Sequence, residues 1–220
     1  MEAFVVAPLI MLAVFFVGGS ILWARWVEKN RRNKLSEVAE LLGLEYRPAG
    51  TGLLQGRLGG FALFNHGTDR RLTNVIEGDS GDVVIAIFDY QFTIGSGKQR
   101  STERQSVIAL SSPHLNCPQL ALRPQRMLDW IGSVIGFQNI KFETHPTFSR
   151  LFVVQGPDED AIRSFMSPDL LTFFESRQGY TLEASGNSML FYRSKRRLKP
   201  DQIKDGLSEA YEIYHLLVAK

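Results

Sequence analysis

Residues Ala3 to Ala24 carry no charged side chain, and this stretch constrains the chain more than any other feature. As a helix rising about 1.5 Å per residue it would be about 33 Å long, enough to cross a hydrocarbon core of about 30 Å. A helix satisfies its own backbone hydrogen bonds, which is the condition lipid imposes. Trp23 and Trp26 fall at its end, where aromatic rings favour the headgroup region. The stretch reads poorly as a cleaved leader. Met-Glu-Ala supplies no Lys or Arg, the apolar run is too long, and Leu22-Trp23-Ala24 is a weak cleavage site. Residues 1–24 are therefore expected to be a retained transmembrane anchor that partners the lipid bilayer through residues 3–24.

Charge asymmetry sets the expected orientation. Only Glu2 and the terminal amine precede the stretch, whereas Arg25, Lys29, Arg31, Arg32 and Lys34 follow it. Positive flanks stay on the cytoplasmic side. The expectation is a single-pass protein of the cell inner (plasma) membrane, N-terminus outside. Residues 25–48 then form a juxtamembrane basic segment and helix, and residues 49–220 a cytosolic α+β domain, with a candidate subdivision near 112–119. Of 220 residues, 44% are hydrophobic and 22% charged, an ordinary globular balance. A formal charge of +2 gives no reason to expect a nucleic-acid partner, and one cysteine excludes an intramolecular disulfide.

Periodicity predicts mixed α and β structure. Leu35, Val38, Ala39 and Leu42 mark a short helix capped by Asn33 and stopped by Gly43. Residues 44–47 and 61–64 read as strands, with the glycines between them as turns. Arg71 to Glu77, Val83 to Phe92 and Ser101 to Leu110 predict a three-stranded antiparallel meander. Further strands are expected at 120–123, 140–143 and 151–155. A helical stripe runs through Met127, Leu128, Ile131, Val134 and Ile135. Helices follow from Pro157 and Pro168, then a hairpin around Gly186-Asn187, then a last helix from Pro200. This order predicts an α+β fold, with helices packed on an antiparallel or mixed sheet.

No catalytic constellation emerges, and no cofactor or metal is expected. Gly95-Ser96-Gly97-Lys98 lacks the preceding glycine and following Ser or Thr of a phosphate loop, and lies between strands. His114 and Cys117 make half a metal motif without the other half. Asp89, on an otherwise apolar strand, needs a partner if buried, and Arg104 on the returning strand is the obvious candidate. Glu143 and His145 would point the same way along a strand. Asp89, Arg104, Glu143 and His145 thus define a speculative pocket. Arg193, Lys195, Arg196, Arg197 and Lys199 form a second basic patch. With the juxtamembrane cluster it could meet an anionic leaflet.

Two stretches carry a resemblance. One is Phe88-Asp89-Tyr90-Gln91-Phe92-Thr93 with Gly95-Ser96-Gly97-Lys98 and Arg104-Gln105-Ser106-Val107. The other is His145-Pro146, Phe148-Ser149-Arg150 and Phe152 with Gly156 and Asp158-Glu159. They resemble an uncharacterised family of small bacterial proteins with an N-terminal membrane helix and a soluble α+β domain. The resemblance implies a bacterial, membrane-anchored protein and carries no functional residues. The leading expectation is a membrane-anchored cytosolic binding or interaction module, for a protein partner or the membrane surface. The alternatives are a small-ligand sensor or enzyme at the speculative pocket, and an anionic-lipid-binding module using loop 193–199.

Overall fold

The computed structural model describes residues 3–127 and 139–219. The helical stripe expected from Met127 to Ile135 falls almost wholly outside them. The chain opens with one helix, α1 (Ala3–Leu41). The helix expected to begin near Leu35 is its last part, and Asn33 lies mid-helix rather than at a cap. The physical reason is composition: residues 25–34 are mostly Arg, Lys, Glu and other residues a helix tolerates, with no Gly or Pro to break it. Gly43 ends the helix at φ +69°. Its N–H donates to the Glu40 carbonyl (3.0 Å) and that of Leu44 to the Ala39 carbonyl (2.9 Å), the paired closure that left-handed glycine permits. Among the described residues no helix is long and apolar enough to cross a membrane. The side chains of residues 3–14, 16, 17 and 21, most of the uncharged stretch, lie outside those described.

Next come β1 (Glu45–Ala49), α2 (Gly52–Leu58) and α3 (Ala62–Asn65). Here the expected glycine turns and the strand at 61–64 give way to helix. Thr51 caps α2 by accepting from the Leu54 N–H (3.3 Å), and Leu54 and Leu58 are buried one turn apart. Gly52 and Gly56 face open space. Burial of the leucines overrides the poor helix propensity of the glycines.

β2 (Thr68–Ser80), β3 (Val83–Ile94) and β4 (Ser101–Ser111) form the expected meander. Then follow β5 (Cys117–Pro124), α4 (Pro146–Leu151), β6 (Phe152–Gln155), α5 (Glu159–Phe165) and α6 (Pro168–Ser176). The hairpin β7 (Thr181–Gly186) and β8 (Ser188–Tyr192) turns at Gly186, φ +57°. α7 (Ile203–Val218) closes the chain. The strand expected at 140–143 reduces to a single bridge between Ile140 and Val154.

Among the described residues eight strands make one sheet in the order β1-β2-β3-β4-β8-β7-β5-β6, every pair antiparallel. Both faces are covered. On one, Leu35 and Ala39 of α1 join Phe148 of α4, Ile162 of α5, Phe174 of α6 and Ile213 of α7 over Ile85, Ile87 and Ile108. On the other, Leu54, Leu58, Leu63 and Phe64 of α2 and α3 cover Phe88, Tyr90 and Phe92. Coverage of both faces explains why β3 is apolar at nearly every position. It also means that Asp89, in phase with Ile85 and Ile87, points beneath α1 rather than into water.

Candidate functional site

Four elements converge on Asp89. The first is α1, where Glu28 and Arg31 are three residues apart and share a face with Leu35. The second is β2, whose alternation is broken where its pairing with β3 shifts between Thr73 and Ile76. At this bulge Asn74 takes a left-handed φ of +53°, a conformation asparagine tolerates better than most residues. The third is β4, where Ser106 sits directly across from Asp89. The fourth is the loop after β8, strapped to β4 through its backbone. The Ser106 N–H donates to the Arg196 carbonyl (3.1 Å). The N–H groups of Leu198 and Lys195 donate to Ser106 Oγ (2.9 Å) and Gln105 Oε1 (3.1 Å).

The result is a dense network on a carboxylate only 6% exposed. Arg31 forks onto it, Nε to Oδ2 at 3.0 Å and Nη2 to Oδ1 at 2.9 Å, while its Nη1 donates to the Leu198 carbonyl at 2.8 Å. Arg197 reaches Oδ2 through Nη2 (2.8 Å) and Nε (3.2 Å), and Glu28 through Nη1 (3.2 Å) and Nη2 (3.1 Å). Ser106 donates to Oδ1 at 2.6 Å. The Asn74 amide donates to Asp89 (2.9 Å) and Glu28 (3.0 Å), and its carbonyl accepts from the Tyr46 hydroxyl (2.9 Å). Burial pushes the Asp89 carboxyl upward, but the Arg31 and Arg197 guanidiniums outweigh it and hold the group below its ordinary range. Glu28 is likewise held down: burial opposes, and Arg197 and Asn74 prevail. Two cations and two anions therefore cancel, with their hydrogen-bonding capacity largely used within the network.

Beside this network lies a basin of about 460 Å³, walled by Ala24, Arg25, Glu28 and Arg32 of α1 and by Asp89, Gln91, Arg104 and Arg197. Arg25, Arg32 and Arg104 have no carboxylate within ion-pair distance among the described residues, and Arg104 Nε donates to Gln91 at 2.8 Å. The basin is thus lined by cations in excess of the balanced network behind it.

The structure revises the sequence-derived sites. Arg104 shares the basin with Asp89 but does not bond it. The β3–β4 register sets Arg104 opposite Gln91 and Ser106 opposite Asp89. Glu143 and His145 do not join them. They follow the Ile140 bridge at the β6 margin, four strand spacings or about 19 Å from β4. There the His145 ring is hydrogen-bonded to its neighbour Thr144 (3.0 Å). Loop 193–199 is only partly free: Arg197 turns inward, Lys195 pairs with Glu103 (3.1 Å), and Arg193 lies over the Tyr180 ring (3.9 Å). Of the juxtamembrane set, Arg31 is in the network, while Arg25, Lys29, Arg32 and Lys34 are exposed. His114 pairs with Asp82 (3.2 Å) and Cys117 is in the core, so the two do not form a metal site.

A second carboxyl group, absent from the sequence reading, is buried on the opposite face. Glu183, 2% exposed, accepts from the Tyr192 hydroxyl (2.7 Å) and from the Leu63 N–H (3.2 Å). Burial raises its pKa, and these donors offset only part of the rise. The alternation of β7, with Leu182 and Ala184 flanking it inward on the other face, was the available signal.

No family model matches the chain, and no curated protein does. Among solved structures it is similar to the mycobacterial trehalose monomycolate transport factor A, TtfA, with a TM-score of 0.58 and 16% identity over 85% of this chain and 94% of that one. At that identity the likeness establishes a shared fold, found in a bacterial protein.

Proposed function

We propose that this chain is a membrane-anchored binding module, held at the cytoplasmic surface of the inner membrane by the first part of α1. The observation that carries the reading is the continuity of α1. One helix contains the uncharged residues 3–24 and, without a break, Arg31, Leu35 and Ala39, which are fixed in the domain. Leu22, Trp23 and Trp26 are each more than half exposed and stand where the uncharged stretch meets the first arginine, the pattern of an interfacial belt. Exposed Arg25, Lys29, Arg32 and Lys34 on the domain side support a cytoplasmic placement by their charge. Among the described residues the basin is lined by Arg25, Arg32 and Arg104 beside a balanced ion network, a lining suited to holding an anion. That the structural neighbour is a transport factor fits a role of this kind.

Fractionation tests the anchor. The full chain should stay with carbonate-washed membranes and leave them only in detergent, and a form lacking residues 1–24 should be released. Equal solubility of the two would overturn the reading. Protease added outside intact spheroplasts should spare the domain; digestion of its bulk would reverse the topology.

A further inference from the structure

The basin at the foot of α1 has features the anchor alone does not require. Its charge is unbalanced in one direction. Glu28 and Asp89 also line it, but both are already engaged by Arg31 and Arg197, two charges against two. Arg25, Arg32 and Arg104 remain, three guanidiniums around a space of about 460 Å³. Planar guanidiniums match the oxygens of a phosphate, and they are less strongly hydrated than ammonium groups. Arg25 and Arg32 are seven residues apart, two turns, so they stand on one side of α1 about 10 Å apart along its axis. Arg104 faces them from β4.

The position along α1 narrows the choice of anion. Ala24, the last residue of the uncharged stretch, is part of the wall. Exposed Trp23 and Trp26 bracket it. If those rings lie among headgroups, the basin opens at the depth where lipid phosphates lie. Resting on the anchor proposed above, we infer that this basin receives the phosphate of an anionic phospholipid headgroup, clamped by Arg25, Arg32 and Arg104. The network behind it has a positioning role. Asp89 holds Arg31 and Arg197, and so keeps α1 and the 193–199 loop at the spacing that leaves the basin open.

The test uses the full chain in detergent, with lipid retention read by native mass spectrometry against phosphatidylglycerol and phosphatidylcholine. Wild type should retain phosphatidylglycerol selectively. The triple variant Arg25→Gln, Arg32→Gln, Arg104→Gln should lose about tenfold or more of that retention. These three side chains are surface groups, so the variant should keep the wild-type melting temperature. A control with the same loss of charge outside the basin, Lys29→Gln, Lys34→Gln, Lys199→Gln, should lose much less. Equal losses in the two variants, or no preference for the anionic lipid, would overturn the inference. Millimolar inorganic phosphate forms the second arm. If it raises the melting temperature in wild type but not in the arginine variant, while no lipid is retained, the source is a soluble phosphate and the headgroup assignment fails. A chain that fractionates with membranes yet retains no anionic lipid keeps the anchor and loses the basin, so the two readings fail separately.

Discussion

Two carboxyl groups are buried on opposite faces of one sheet, Asp89 beneath α1 and Glu183 beneath α3, and they are stabilised in opposite ways. Asp89 is met by two guanidiniums, a hydroxyl and an amide, and its charge is held in place. Glu183 is met by a phenol and a backbone N–H, and burial pushes it toward the neutral acid. Tyr192, pressed against it, is pushed well above its ordinary pKa by burial and by that same neighbour. The difference teaches where charge is used in this fold. The α1 face ties together segments distant in sequence, residue 31 to residues 89 and 197, by ionic contacts that must all be present at once. The α3 face needs only a local polar anchor for a four-residue helix. Buried ion networks do not necessarily add stability over apolar packing, but removing one member leaves its partners uncompensated.

The sharpest way to break this contrast is Asp89→Ala. It strands Arg31 and Arg197 and should cost about 3–5 kcal/mol in urea unfolding, with faster tryptic cleavage within α1. A loss under about 1 kcal/mol would show that the network is dispensable. Asn74→Ala should cost about 2 kcal/mol, because it removes a buried donor to two carboxylates and places a non-glycine, non-asparagine residue at a positive φ. Asn74→Gly, which relieves the backbone, should recover part of that loss by the same measurement. Glu183→Gln should cost less than about 1 kcal/mol, since the amide replaces a group that burial already drives toward neutrality. A larger effect than that of Asp89→Asn would invert the comparison.

The smallest signal is in pH, and its sign differs between the two sites. Asp89 is lowered from an ordinary value of 3.8, so its contribution is complete above that value and is lost as pH falls through its folded value. Glu183 is raised from 4.5, so its contribution is complete below that value and is lost as pH rises toward its folded value. Wild type should therefore lose its advantage over Asp89→Asn on acidification, and should lose ground to Glu183→Gln as pH rises above 4.5. Parallel pH profiles for the two variants would remove the distinction.

Much of this was legible in the sequence. The β2–β4 meander, the β7–β8 hairpin and the last helix follow from apolar alternation, turn residues and helical spacing. Asp89 stood out as a carboxylate on an apolar strand, and its need for a partner was correct in kind. Arg104 is not that partner, because the β3–β4 hairpin closes with Ile94 opposite Ser101 and so sets Ser106 across from Asp89. Arg31 and Glu28 continue the Leu35–Ala39 face of α1, but their charge reads as juxtamembrane when that face is not extended backward. The bulge at Asn74 is hard to read locally, because Leu72, Asn74 and Ile76 alternate with Thr73 and Val75 in the sequence although the structure buries Asn74, Val75 and Ile76 together. The α2–α3 segment misled for the opposite reason: its glycines signal turns, while the force that makes it helical is burial of Leu54, Leu58, Leu63 and Phe64 against a sheet face that only the tertiary fold supplies.

The unbroken course of α1 also fixes an angle. A helix that runs without a break through Ala24 and Arg31 sets the azimuth of the domain about the helix axis by residue count. One residue inserted just ahead of Ala24 would turn the whole sheet by about 100° relative to the uncharged stretch and shift it by about 1.5 Å, carrying the arginine basin, whose helical wall begins at Ala24, around to another side of the rod.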